Sequence, residues 1–253
     1  MKDKVIIIPV HNQYKLLDAC LQSVYEMTDN AKVIIVDDGS GQETADFIDK
    51  AKDEYGYDLI RHEKALGFSM ACNDGMKLAL DKYDFSCLCL LNSDTEVRTK
   101  DWFDKVQWYI DNGEKIGVAS VMSDCALAQT VKNYDKYMAV IDTKPAVYSC
   151  LLHGFCYFIN RELIDIIGLL DEITFPHYGS EDDYSLKSIK AGYKNLLVGK
   201  VFVHHANSQS YTDAQRSAIV LKSYPALLNK WGKGIVNRCG KLTVEAGNYI
   251  NKY

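Results

Sequence analysis

Unbroken runs of apolar, mostly β-branched residues recur along the first half of the chain with amphipathic stretches between them, and this alternation limits the fold more than any other feature. Val5-Ile6-Ile7-Ile8-Pro9-Val10, Val33-Ile34-Ile35-Val36 and Cys87-Leu88-Cys89-Leu90-Leu91 contain no polar side chain. A strand with one face in water alternates polar and apolar residues, so uninterrupted runs belong in a sheet covered on both faces. Between the first two runs, Leu16, Leu17, Cys20, Leu21 and Val24 recur at helical spacing. Ala45, Phe47, Ile48 and Ala51 mark a second helix, Leu59-Ile60 a short strand, and Met70 to Leu80 a third helix. Strand, helix, strand in repetition predicts an α/β fold with a central, mainly parallel sheet.

Beyond Asp94 the pattern predicts a helix from Asp101 to Ile110, a strand from Gly117 to Met122, and another strand from Gly154 to Ile159. Helices follow at Arg161 to Ile167 and at Ser180 to Ala191, the latter stopped by Gly192, and a last strand runs from Val198 to His205. Residues 123 to 150 carry little periodicity and read as loops reaching over a site. Tyr211 to Tyr253 has helix-compatible apolar spacing, which divides the chain into a domain over 1–210 and a helical extension over 211–253 packed on it.

Charge narrows the function classes. The formal net charge is -5, so no overall field draws the chain to nucleic acid or anionic lipid. The longest apolar stretches are far short of the roughly 20 residues that span a bilayer, and the first strand, with its Pro9 and polar His11-Asn12 exit, does not resemble a secretory leader. The eight cysteines are scattered without a Cys-x-x-Cys pair. They read as reduced thiols, and the location as cytoplasmic.

In open α/β sheets ligands bind beyond the carboxyl ends of the strands. Those ends are acidic here: Asp37-Asp38-Gly39-Ser40, Asn92-Ser93-Asp94-Thr95-Glu96 and, on the last strand, His204-His205. Gathering such charge on one rim is costly unless a cation or a hydrogen-bonded ligand offsets it. Neither a Gly-x-Gly-x-x-Gly turn nor a phosphate-cradling Gly-x-x-x-x-Gly-Lys-Ser/Thr loop is present. A diphosphate would instead be neutralised by a divalent ion on Asp94 and a histidine, oxygen and nitrogen ligands that suit Mn2+ or Mg2+.

Four blocks together resemble the ordered signature of family 2 glycosyltransferases: Ile7-Ile8-Pro9-Val10-His11-Asn12, Val36-Asp37-Asp38-Gly39-Ser40, Leu90-Leu91-Asn92-Ser93-Asp94-Thr95-Glu96-Val97, and Gly179-Ser180-Glu181-Asp182-Asp183-Tyr184. The resemblance implies a GT-A fold, a nucleotide-diphosphate sugar donor, a divalent metal, and direct displacement with inversion. It places Pro9 and His11 in the nucleotide wall, Asp37 and Asp38 at base and ribose, and Gly67 and Asn73 in a nucleotide-contacting segment. Asn92-Ser93-Asp94 occupies the Asp-x-Asp position with Asn in place of its first acid. That leaves Asp94 as the principal metal carboxylate.

Phe202 to Tyr211 resembles the family's late strand, which ends in a metal-binding histidine followed by a Ser-rich loop. His204 and His205 point to opposite faces by strand alternation, and the register favours His205 as the ligand. The acceptor's proton needs a base, for which Glu181 and Asp182 rank nearly equal. Asp183 reads as structural, in a Ser180-x-x-Asp183 capping box. Tyr178, Phe175 and Trp102 are candidates to stack on a sugar, and Lys230-Trp231-Gly232 to dock the tail.

The expected activity is metal-dependent transfer from a nucleotide sugar, a UDP-sugar by preference, to a hydroxyl on a glycan, lipid-linked, protein or nucleic-acid acceptor. A nucleotidyltransferase and a sugar-nucleotide-binding protein without transferase activity are the alternatives.

Overall fold

The structure, a computed structural model, describes residues 2–206 and 213–253. The first half alternates as expected: β1 (Lys4–Val10), α1 (Tyr14–Met27), β2 (Ala31–Asp37), α2 (Gln42–Tyr55), β3 (Asp58–Arg61), α3 (Phe68–Lys82) and β4 (Cys87–Leu91). A three-residue strand β5 (Thr95–Val97) precedes α4 (Trp102–Asn112) and β6 (Ile116–Met122). After a short helix α5 (Tyr134–Met138) come β7 (Ala146–Ser149), β8 (Cys156–Asn160), α6 (Arg161–Ile167), α7 (Ser180–Lys190) and β9 (Lys194–His205). Helices α8 (Asp213–Trp231) and α9 (Lys233–Lys252) end the chain.

The strands form one sheet in the order β3-β2-β1-β4-β8-β6-β9-β5, with β7 also pairing to β9. β3, β2, β1 and β4 are mutually parallel. β8 runs antiparallel to both its neighbours, β4 and β6, and β9 is parallel to β6. The carboxyl ends of β1, β2, β4, β6 and β9 therefore share one edge.

Side-chain alternation sorts each buried strand onto two cores. Ile6, Ile8, Val33 and Ile35 pack with Leu17, Leu21, Trp102, Phe103 and Phe158 on one face. Val5, Ile7, Ile34 and Val36 pack with Ala71, Met76, Tyr157 and Tyr184 on the other. Each such aliphatic side chain withdrawn from water contributes about 1.5–3 kcal/mol, and this two-sided burial is why the runs carry no polar residue.

Several expectations shift. β9 is 12 residues long and starts before Val198, because one half of it pairs with β6 and β7 and its end, Val203 to His205, with β5. β8 begins at Cys156 and α3 at Phe68. Residues 123 to 150 are not all loop, since α5 and β7 lie within them and β7 extends the sheet at β9. The helix cap before α7 is Gly179, at φ 91°, and its carbonyl accepts from Asp183 N; Ser180 already lies inside the helix, so the capping box does not form. Trp102 and Phe175 are fully buried and pack in apolar cores rather than facing a ligand.

The two C-terminal helices lie on the sheet domain. Leu227, Val236 and Cys239 join Phe175 and Leu186 in a third apolar cluster. The anchor is ionic as well: Asp183, with no exposed surface, accepts from Trp231 Nε1 at 2.8 Å and pairs with Lys230 at 2.9 Å and Lys187 at 2.9 Å. On α9, Thr243 bonds the backbone of Leu151, and Gly247 lies so close to Ala128 that an added Cβ would sit 1.7 Å from its carbonyl oxygen. All eight cysteines are free thiols. Among the described residues no helix is long and apolar enough to cross a membrane. The division at 210/211 and the Ser-rich stretch after the last strand lie outside the described residues.

Candidate active site

A cavity of about 560 Å³ opens along the shared carboxyl edge, within the size range of ligand sites. Pro9 and His11 from the end of β1, Asp38 after β2, Asn92-Ser93-Asp94 after β4, and His205 at the end of β9 all line it. Glu181 and Asp182 on the first turn of α7 line it too. Most of the expected residues thus meet in one place.

Three do not. Asp37 is buried away from the cavity: its carboxylate receives Arg61 Nε at 2.9 Å and Ser40 N at 3.0 Å, which secures the β2 turn. Asn73 is likewise buried, donating to the Leu170 carbonyl and accepting from Leu170 N, so it fastens α3 to the segment before α7. Gly67 lies just behind the wall at φ 109°, where a Cβ would meet the Pro176 carbonyl at 2.7 Å. Its role is to let two wall segments touch.

Asp38 reaches the cavity as a wall-builder as well. Its oxygens accept from Leu66 N at 2.7 Å, Gly67 N at 2.9 Å and His62 Nδ1 at 2.8 Å. His62 continues to Asp74 at 3.1 Å. A carboxylate has about four lone-pair positions, so one remains for a ligand. His11 Nδ1 lies 2.8 Å from the Asp38 carbonyl and ties the β1 and β2 exits together.

The acid and the imidazole expected to share an ion are adjacent: His205 Nε2 is 3.4 Å from Asp94 Oδ1. Pairing of β5 with β9 sets this, because Thr95 lies opposite His205 and Ala206 N donates to the Asp94 carbonyl. His205 Nδ1 faces the Cys125 carbonyl at 3.0 Å, and its ring stacks on Phe155 at 5.2 Å. Burial pulls its pKa down, but the bond to Asp94 and that group's charge outweigh it and hold the imidazole above its ordinary value. His204 leaves by the opposite face to Asp124.

Among the described residues no three His, Cys, Asp or Glu side chains cluster as a ready metal cage. The donor set nonetheless fits a hard divalent ion. Asn92 Oδ1 is buried without a hydrogen-bond partner, an expensive state for an amide oxygen. Its amide nitrogen lies 3.5 Å from His205 Nε2, so Asn92 adjoins the Asp94–His205 pair, and ligand phosphates or water would complete a shell begun by that carboxylate and imidazole.

Glu181 and Asp182 are held by their helix turn, which the buried Tyr157 fixes by bonds to the Glu181 carbonyl and Ser185 Oγ. Burial raises the Glu181 pKa against the helix-end hydrogen bonds that lower it. Burial and then the charge of Glu181 push Asp182 up to about 8. A neighbouring pair of this kind titrates jointly and holds at least one proton near neutrality.

His153-Gly154-Phe155-Cys156 reads in the sequence as a wall and residues 123 to 150 as loops over a site, whereas His177, Tyr224 and Leu227 carry no such signal. His153, Cys125 to Leu127, His177, and Tyr224 and Leu227 of α8 complete the cavity wall, and Tyr178, a sugar-stacking candidate, also lines it. His153 is depressed to about 4 by burial and by the charge of His205. His177, Tyr224 and Leu227 belong to no short motif, which is why spacing could not find them.

The family model for glycosyl transferase family 2 matches residues 5–162, more than half of the chain. The chain belongs to glycosyl transferase family 2. Two solved structures share its fold: a mannosyltransferase, PcManGT from Pyrobaculum calidifontis, in complex with GDP-Man and Mn2+, at TM-score 0.67 and 16% identity over 90% of this chain, and GalNAc-T7 with UDP, GalNAc and Mn2+, at TM-score 0.65 and 17% identity over 87% of it. The family 2 chain spans 66% of the first and 48% of the second, and the likeness establishes the GT-A fold. Comparison with curated protein sequences gives no significant match.

Proposed function

We propose that the protein transfers a sugar from a nucleoside diphosphate donor, a uridine one by preference, to an acceptor hydroxyl, with inversion and with a divalent cation. The observation that carries this is the convergence in one cavity of an orphaned Asn92 oxygen, the Asp94–His205 pair and the Glu181–Asp182 pair. Membership of family 2, and a fold shared with enzymes captured beside nucleotides and Mn2+, support it.

Asp94, His205 and Asn92 would hold the cation, which supplies charge neutralisation for a departing diphosphate. The chain's own residues do the rest. Pro9, His11 and Asp38 wall the nucleotide end, and the apolar lining excludes water that would otherwise compete as acceptor. Glu181 or Asp182, when ionised, takes the acceptor hydroxyl proton as its oxygen bonds the anomeric carbon and the carbon–phosphate oxygen bond breaks. One displacement from the face opposite the leaving group inverts the configuration.

The test is donor turnover with Mn2+. Release of the nucleoside diphosphate from a UDP-sugar, abolished by Asp94→Ala, is expected. Pyrophosphate as the product would make the protein a nucleotidyltransferase, and tight binding without turnover over a broad acceptor panel would make it a binding module.

A further inference from the structure

We propose that His153 reads a hydroxyl of the transferred sugar and sets which sugar the enzyme accepts. This rests on the donor reading above and deepens it.

The stretch His153-Gly154-Phe155 touches both functional groups of the cavity. The Phe155 ring stacks on His205, and a Cβ placed on Gly154 would lie 3.4 Å from Glu181 Cβ, Cγ and Cδ. Any molecule joined at one end to a phosphate beside Asp94 and His205, and attacked at the other by a nucleophile beside Glu181, must lie across these residues. The portion between phosphate and nucleophile is the sugar ring.

His153 is the polar side chain of this stretch, and it lines the cavity. Its backbone is fully occupied: N donates to Gln129 Oε1 at 2.7 Å, and the carbonyl accepts from Ser120 Oγ at 3.3 Å. Gln129, buried, is held in turn by Ser120 and the Val121 carbonyl, so the backbone position is rigid. The imidazole itself has no hydrogen-bond partner among the described residues, although it is recessed and close enough to His205 to feel its charge. An imidazole has one donor and one acceptor nitrogen, neither of them bonded here among the described residues, and either can pair with a hydroxyl, which is both donor and acceptor. Hydrogen-bonded polar sites reject analogues that leave them unpaired, so such a residue selects among epimers more than it adds affinity.

The experiment compares bare and sugar-bearing nucleotides on one protein, with Mn2+ throughout: UDP against UDP-glucose and UDP-galactose, and GDP against GDP-mannose and GDP-glucose. Affinities are measured by calorimetry, and turnover wherever it occurs, for the wild type, His153→Ala and His153→Gln. In the expected result, the extra affinity that the sugar confers over the bare nucleotide falls roughly three- to tenfold in His153→Ala. Epimer preference flattens, affinity for the bare nucleotide stays as it was, and His153→Gln, which keeps a donor and an acceptor, recovers part of the loss.

An unchanged sugar increment and epimer ratio in His153→Ala overturns the proposal, as does an equal loss on the bare nucleotide, which would place the ring at the phosphates. A wild type that binds UDP or GDP but gains nothing from any sugar overturns this inference alone. A wild type that binds neither nucleotide overturns the donor reading along with it. Because the side chain makes no hydrogen bond among the described residues, both variants should fold, which circular dichroism checks.

Discussion

At the level of single residues, the site is built from pairs rather than from isolated charges. Asp37 meets Arg61, Asp38 meets His62, and Asp94 meets His205. The charge that the sequence piles on one rim is thus largely offset within the chain, and Asn92 Oδ1 at that rim is a buried oxygen without a partner among the described residues. Asp94→Ala should lower Mn2+-dependent turnover by about 10²-fold or more, with a matching loss of Mn2+ affinity by calorimetry. The carboxyl pair makes a second prediction. A base must be ionised to work, and both Glu181 and Asp182 are shifted upward, Asp182 to about 8. The rate should therefore climb with pH through the neutral range, about tenfold per unit on the acid limb, instead of levelling off near pH 5.

The linked stability effect has the opposite sense. A carboxyl whose folded pKa is raised favours the native state at pH values below its unfolded pKa, and that contribution is lost as pH rises through the folded value. Glu181→Gln should cut turnover by about 10²–10⁴-fold yet raise the thermal midpoint at pH 8 relative to the wild type. A midpoint that falls instead would mean that Glu181 is bound to a cation in the folded protein.

Among the elements, α7 links the site to the tail. Asp183 carries Lys187, Lys230 and Trp231 from a position without solvent exposure. Asp183→Ala should cost about 1–3 kcal/mol by leaving Trp231 Nε1 without its acceptor, while Lys230 keeps its pair with Asp171, or about 2–12 °C in the thermal midpoint. Limited proteolysis should then cut between α8 and α9 first. The motifs locate this helix, and Lys230-Trp231 as its clamp, because a buried anchor and its partners are written as charged or aromatic residues in an apolar setting.

Other elements were illegible for a physical reason. β5, three residues long, and β7, four, are too short to show a period. Their strand character comes from β9 lying alongside, a contact made 46 to 110 positions away in sequence. Strand ends identify Asp94 and His205, since a carboxyl edge is fixed by topology. They do not reveal that Asp37 and Asn73 turn inward to Arg61 and Leu170, because side-chain direction there depends on neighbours that no local pattern encodes.

On the scale of the whole molecule, the cavity draws on both ends of the chain. β1 supplies Pro9 and His11, while α8 supplies Tyr224 and Leu227 from beyond the matched family region. A ligand that fills it should therefore tighten the entire fold. UDP with Mn2+ at a hundredfold excess over its Kd should stabilise by about 2.7 kcal/mol, seen as a midpoint rise of roughly 5–10 °C. UDP with EDTA should show much less.

The acidic triplet gives this coupling a direction. Glu181 and Asp182 line the cavity while their neighbour Asp183, in the same helical turn, grips the C-terminal helices. Whatever pulls on α8 bears on a helix turn whose other side carries Glu181 and Asp182. A change at α8 is thus felt at the acids of the cavity, and a protein trimmed ahead of Asp213 would keep β9 and His205 yet lose that link.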